Sequence, residues 1–118
     1  MRRQFLSSVA IKSVDTDAVR RAADQYAARM LVTHAEVEEI VVFGSFTTGT
    51  YVPGSDLDLF VILSRSEKTV WDRVPEYLPG AFPVGVDVFP YTRAELGRMP
   101  PSSLLEAVAA SQWRYRRE

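Results

Sequence analysis

Cysteine is absent from the 118 residues. That excludes disulfides, thiolate metal sites, iron–sulfur clusters and cysteine nucleophiles. Histidine occurs once, at His34, which leaves too few soft ligands for a structural zinc site. Any metal must therefore be held by oxygen, so magnesium, manganese or calcium are the candidates. No apolar run approaches the roughly 20 residues of a membrane-spanning helix. Arg2 and Arg3 lack the long apolar stretch of a signal peptide behind them, and a cytoplasmic location is the expectation. Neither sign of charge dominates: 14 basic and 15 acidic residues leave a net −1. That balance argues against a chain that reads nucleic-acid sequence directly. What is present is 47% hydrophobic and 25% charged residues, a globular composition. The length fits one domain over residues 1–118. Within it, residues 1–13 read as a short strand or a loose N-terminal arm.

The charge is unevenly spread. Residues 36–97 carry four basic and ten acidic groups, whereas residues 1–35 carry six basic and three acidic, and residues 98–118 four and two. An acidic centre suits a cation. Basic ends suit phosphates or an acidic partner, although solvated surface charge is the commoner reason for such a pattern.

Hydrophobic periodicity gives a plan of alternating helices and strands. Val19, Ala22, Ala23, Tyr26, Met30 and Leu31 recur at spacings of three and four, which predicts a helix from about residue 16 into the mid-thirties, capped by Ser13 or Asp15. A buried strand follows over residues 39–43. Residues 44–55 form a loop with room for one helical turn. A second strand covers residues 56–63. Val70, Trp71, Val74 and Leu78 share helical spacing, with Pro75 predicting a kink or early stop. A third strand covers residues 84–89 and is expected to end at Pro90. Thr92 with Glu95 three residues on is a capping box for a short helix. Another helix should begin near Ser102 or Ser103, and residues 113–116 alternate as an edge strand would. The fold class is α/β, or α+β: a small mixed sheet flanked by helices.

Three carboxylates fit this plan poorly. Side chains alternate along a strand, so Asp56 and Asp58 share a face with Phe60 and Ile62, while Leu57, Leu59, Val61 and Leu63 share the other. Both faces are apolar from Leu59 onward, as in a central strand. Asp is among the residues strands avoid. Asp87 repeats the oddity as the one charge between Val84 and Phe89. Two like charges ~4 Å apart repel by roughly 4 kcal/mol even at an effective dielectric near 20. No Lys or Arg lies within five residues of any of the three. A divalent cation would supply the missing charge, and carboxylate-bound cation pairs equip phosphoryl-transfer sites. Taken singly, each aspartate has a plain explanation: Asp56 as the cap of the Pro53-Gly54-Ser55 turn, Asp87 on an exposed edge.

Phe43-Gly44-Ser45 closes the first strand. A glycine there lets a phosphate approach the backbone, and a serine at a following helix start offers a hydroxyl and backbone N–H groups. An isolated Gly-Ser is more often a plain turn. Its weight comes from the Asp56-Leu57-Asp58 pair that follows a ten-residue spacer.

That combination resembles the polymerase-β-like nucleotidyltransferase superfamily, whose pattern is an apolar residue, Gly, Ser, a spacer of about ten, Asp-x-Asp on a strand and a third carboxylate on a later strand. Here it reads Phe43-Gly44-Ser45, Asp56-Leu57-Asp58 and Asp87. The run from Gly44 to Leu59, with its inner Gly49 and with Ser55 before the first Asp, is similar to the minimal nucleotidyltransferase branch. Thr47 departs from it, since small residues such as Ala are usual there. The resemblance implies a palm-like nucleotidyltransferase fold. It implies that Asp56 and Asp58 bind two Mg²⁺ ions carrying a nucleoside triphosphate, with ATP the expectation, and that Asp87 holds the catalytic metal and helps deprotonate an acceptor hydroxyl. Gly44 and Ser45 would receive the β- and γ-phosphates. In the minimal branch the usual partner is a small helical HEPN protein, in pairs resembling toxin–antitoxin modules where AMP is transferred to a toxin tyrosine. A chain of this length would borrow its acceptor site from such a partner or from a second copy of itself. The alternatives are transfer to a small hydroxylated molecule such as an aminoglycoside, and a non-catalytic antitoxin acting by binding alone.

The remaining candidates have structural readings. His34 falls late on the first helix, Trp71 and Trp113 read as core anchors, and Arg114, Arg116 and Arg117 as a solvated basic terminus.

Overall fold

A computed structural model describes residues 14–117. The arm expected over residues 1–13 lies outside the described residues. Helix α1 runs Thr16–Thr33, β1 Val37–Phe43, α2 Ser45–Thr48, β2 Leu57–Leu63, α3 Val70–Tyr77, β3 Val86–Thr92, α4 Arg93–Arg98, α5 Ser103–Ala110 and β4 Arg114–Arg116. The strands form one mixed sheet in the order β3-β2-β1-β4. β1 is antiparallel to β2 and β4, and β2 is parallel to β3.

The alternation of β2 sorts its side chains as its sequence requires. Leu57, Leu59, Val61 and Leu63 pack with Ile40, Val42 and the buried stripe of α1: Val19, Ala23, Tyr26, Ala27 and Met30. Phe60 and Ile62 face the other way, against Val41, Phe43 and Val108 of α5, with Phe89, Tyr91 and Leu96 alongside. Each aliphatic side chain so buried contributes about 1.5–3 kcal/mol. Asp15 caps α1, accepting from Ala18 N at 3.0 Å. Thr92 and Glu95 close the capping box of α4, at 3.1 and 2.8 Å. Among the described residues no helix is long and apolar enough to cross a membrane.

Three expectations are corrected. Pro90 does not end β3, which continues to Thr92; β3 is an edge strand, where a missing N–H costs no ladder bond on the open side. Trp71 is no core anchor, being 84% exposed. The inward face of α3 is instead Arg73 and Tyr77. Arg73 forks onto Glu95 at 2.7 and 2.8 Å and also donates to the carbonyls of Lys68 and Pro90. This polar anchoring rotates the apolar stripe of α3 outward, and Pro75 sits inside a helix that stops two residues later. The basic terminus is not merely solvated. Arg114 and Arg116 both donate to buried Glu39, at 2.7 and 2.8 Å. Arg117 donates to the carbonyls of Leu31, His34 and Val37. Trp113 does pack against the core, under the Arg20 guanidinium 4.0 Å from its ring centre. His34 has a structural place as the C-terminal cap of α1, beside the Tyr77 ring.

Candidate active site

The register of the sheet brings the aspartates to one end. Asp58 is the partner of Phe43 on β1 and of Asp87 on β3. Parallel neighbours in register point to the same face, so Asp58 and Asp87 stand side by side at the start of their strands. Asp56 lies two residues earlier on the same face. Asp58 is half-buried, while Asp56 and Asp87 are exposed. The plain explanation of Asp56 as a turn cap does not hold. Ser55 closes that turn, with Val52 N donating to its hydroxyl and Ser55 N to the Val52 carbonyl, both at 2.9 Å. Asp87 does lie on an edge strand, but directly beside Asp58.

Aromatic rings floor the site. Phe43 lies 6.3 Å from Phe60 and 5.4 Å from Phe89, and Phe60 stacks on Tyr91 at 5.4 Å, centre to centre. Burial against this floor pushes the Asp58 carboxyl above its ordinary pKa, and the charges of Asp87 and Asp56 push it further the same way. Among the described residues, no ion pair reaches any of the three aspartates.

Two glycines receive the carboxylates of the Asp-x-Asp pair. Gly44 has φ +89°, a conformation that favours glycine. A Cβ built there would overlap the Asp58 carboxylate, with Asp58 Cγ 3.3 Å away. A branched side chain at residue 44 would thus disturb the fold as well as any phosphate. The following turn is α2, where Thr47 N and Thr48 N donate to the Gly44 carbonyl at 3.0 and 3.3 Å. The Thr47 hydroxyl donates to the same carbonyl at 2.7 Å, which gives the unusual residue of the motif a local job. Ser45 opens α2 beside this carbonyl. Gly85, which strand patterning passes over, stands against Asp56. The available signal was a glycine inside an apolar strand pattern, which marks a close approach.

The donor set is all oxygen, and the charge is uncompensated, so the residues suit a hard divalent cation. Among the described residues no three acidic or histidine side chains are already gathered at ligand distance.

The family model for the nucleotidyltransferase domain matches residues 26–109, a span that contains Gly44, Ser45 and all three aspartates. A crystal structure of a Sulfolobus solfataricus protein assigned to the nucleotidyltransferases has the same fold. It superposes with a TM-score of 0.57 at 20% identity, over 86% of this chain and 80% of that one. Among curated proteins no sequence matches.

Proposed function

We propose, for a chain that belongs to the nucleotidyltransferase domain family, that it transfers a nucleoside monophosphate, AMP from ATP, to a hydroxyl acceptor: the acceptor oxygen bonds to the α-phosphorus, the bond from the α-phosphorus to the β-phosphate's bridging oxygen breaks, and pyrophosphate leaves. The observation that carries the reading is the register of β2 on β3, which sets Asp58 beside Asp87 one strand away from Gly44. In this reading Asp56, Asp58 and Asp87 hold magnesium. Two such ions, when bound, neutralise charge on the attacking and leaving oxygens of an in-line displacement. The remaining work belongs to the chain. Asp87, which is exposed, would take the proton of an incoming hydroxyl. Gly44 leaves its backbone open to phosphate oxygens, and Ser45 presents its hydroxyl and N–H beside them. The rings of Phe43, Phe60 and Phe89 keep water from the underside of the carboxylates, which strengthens electrostatic interactions there.

The acceptor follows from the likeness of residues 44–59 to the minimal branch: a tyrosine hydroxyl on a helical HEPN partner, with the chain acting as its antitoxin in the cytoplasm. The experiment is incubation with labelled ATP, Mg²⁺ and co-purifying or co-encoded proteins, beside an aminoglycoside panel. AMP on a protein band supports the reading, and label on the small molecules alone would replace its acceptor. ATP affinity that is equal in Mg²⁺ and in EDTA would sink the metal assignment.

A further inference from the structure

Gly85 has no backbone reason to be glycine. The positive-φ glycines are Gly44, Gly49 and Gly54, and Gly85 is not one of them. It lies just before β3, where a glycine forfeits side-chain packing and loses more chain entropy on folding than any other residue. What takes the place of its side chain is the Asp56 carboxylate. A Cβ built on Gly85 would overlap Asp56 Oδ1 and stand 3.1 Å from Asp56 Cγ. The two backbones are locked together at this point, since Leu57 N donates to the Gly85 carbonyl at 2.9 Å. One step along, Leu57 is in register with Val86 and Asp58 with Asp87. Gly85 therefore occupies the β3 position beside Asp56, on the face that carries Asp87 two residues later.

The Asp-x-Asp pair is consequently splayed. Asp58 leans over Gly44 at the end of β1, and Asp56 leans over Gly85 at the start of β3. Splaying separates two like charges, and it places Asp56 next to the column of Asp87 rather than against Asp58. With any side chain at residue 85, Asp56 would have to turn toward Asp58, against the repulsion, or out into solvent, away from both partners.

We propose that Gly85 is a positioning residue whose bare backbone seats the Asp56 carboxylate beside Asp87 and so sets the affinity of the site for a divalent cation. The proposal rests on the reading of Asp56 as a metal ligand. It extends that reading to a residue that makes no contact with metal or nucleotide itself.

The test pairs a binding measurement with a stability cycle. Binding of Mn²⁺ alone is followed by water-proton relaxation in wild type, Gly85→Ala and Asp56→Ala. Thermal unfolding in EDTA is compared for these three and for the double variant. Gly85→Ala should weaken Mn²⁺ binding about tenfold or more, the scale at which outer partners of metal ligands act. In EDTA the Tm should fall little in wild type, because the displaced atom is the end of an exposed side chain, and not at all in Asp56→Ala, where no carboxylate occupies the seat. There the extra methyl should leave the Tm unchanged or raise it, because alanine restricts the unfolded chain. Wild-type affinity in Gly85→Ala, beside clear Mn²⁺ binding by wild type, would overturn the seat and leave the metal reading standing. An equal loss of Tm in both backgrounds would overturn it too, by showing that something other than Asp56 fills the space. Absence of Mn²⁺ binding in wild type would overturn the metal reading, and the proposal with it.

Discussion

At the two ends of one sheet, buried or half-buried carboxylates are treated in opposite ways. At the end where β1 begins and β3 finishes, Glu39 receives Arg114 and Arg116, and Glu95 receives the fork of Arg73. Burial raises the Glu39 pKa, but the hydrogen bonds from the two arginines outweigh it and hold the group below its ordinary value. The Arg73 hydrogen bonds carry Glu95 down to about 2. At the other end Asp58 stands beside Asp87 with no arginine, and its pKa moves up. The same chain therefore places counter-charges where acidic groups serve the fold. Uncompensated charge on a strand where Asp is disfavoured is the pattern expected of a functional site rather than of a contact that serves the fold.

The comparison breaks most visibly in catalysis. Asp58→Asn keeps the shape of the side chain and removes one of the charges proposed to hold the cation. Lewis-acid stabilisation by metal is worth several kcal/mol, so transfer should fall by roughly a thousandfold or more. A labelled-ATP assay reads this directly, and near-normal transfer would remove Asp58 from the site.

At the paired end the same kind of change acts on stability. Arg73 is 3% exposed and Glu95 28%, measured on the side chains. Arg73→Met leaves Glu95 without its fork, and the expected cost is about 3 kcal/mol, the lower part of the range for breaking such pairs because Glu95 can rehydrate. The pH dependence has a definite sign. The Glu95 pKa is lowered from 4.5 to about 2 on folding, so its contribution is present above pH 4.5 and is lost as pH falls through that window. Urea unfolding of wild type should show this acid loss, and Arg73→Met should show little of it. Equal acid loss in both would mean that Glu95 is not held by Arg73.

Much of this contrast is legible in the sequence, though unequally. The Asp-x-Asp pair, Asp87 and the Gly44-Ser45 turn are readable because local chemistry contradicts local structure: charges in an apolar strand, glycine at a strand end. The capping box at Thr92 and Glu95 is equally local. The arginine pairs were not legible, because Glu39 and Arg116 are brought together by an antiparallel pairing of β1 with the short β4. No pattern within either segment predicts that partner. α3 shows how tertiary contacts override periodicity. Its apolar spacing points to Trp71 and Leu78 as the inner face, yet a guanidinium that satisfies Glu95 and two carbonyls wins the position. Gly85 escaped for a related reason: its neighbour Asp56 lies on another strand, and only the register reveals the contact.

The smallest effect is the one that separates the two ends most sharply. Removing a charge at the paired end costs stability; removing one at the other end should add it. In the metal-free protein, Asp58 ionises against a buried aromatic floor and the charges of Asp87 and Asp56, so its folded pKa lies above 3.8. A raised carboxyl pKa means that the folded state loses stability as pH rises through the ionisation, and the penalty is complete at neutral pH. Asp58→Asn removes it. The pair repulsion runs from about 1 kcal/mol under water-like screening to about 4 kcal/mol at a dielectric near 20. Two of the three carboxylates are exposed, which favours the lower part of that range, so the gain should be about 1–2 kcal/mol in EDTA. Magnesium should then stabilise wild type more than the variant, because a ligand stabilises only through its binding to the folded state. Thermal unfolding of both proteins, with EDTA and with Mg²⁺, measures both quantities. A variant less stable than wild type in EDTA would show that Asp58 is held by a structural partner, and the contrast between the two ends of the sheet would collapse.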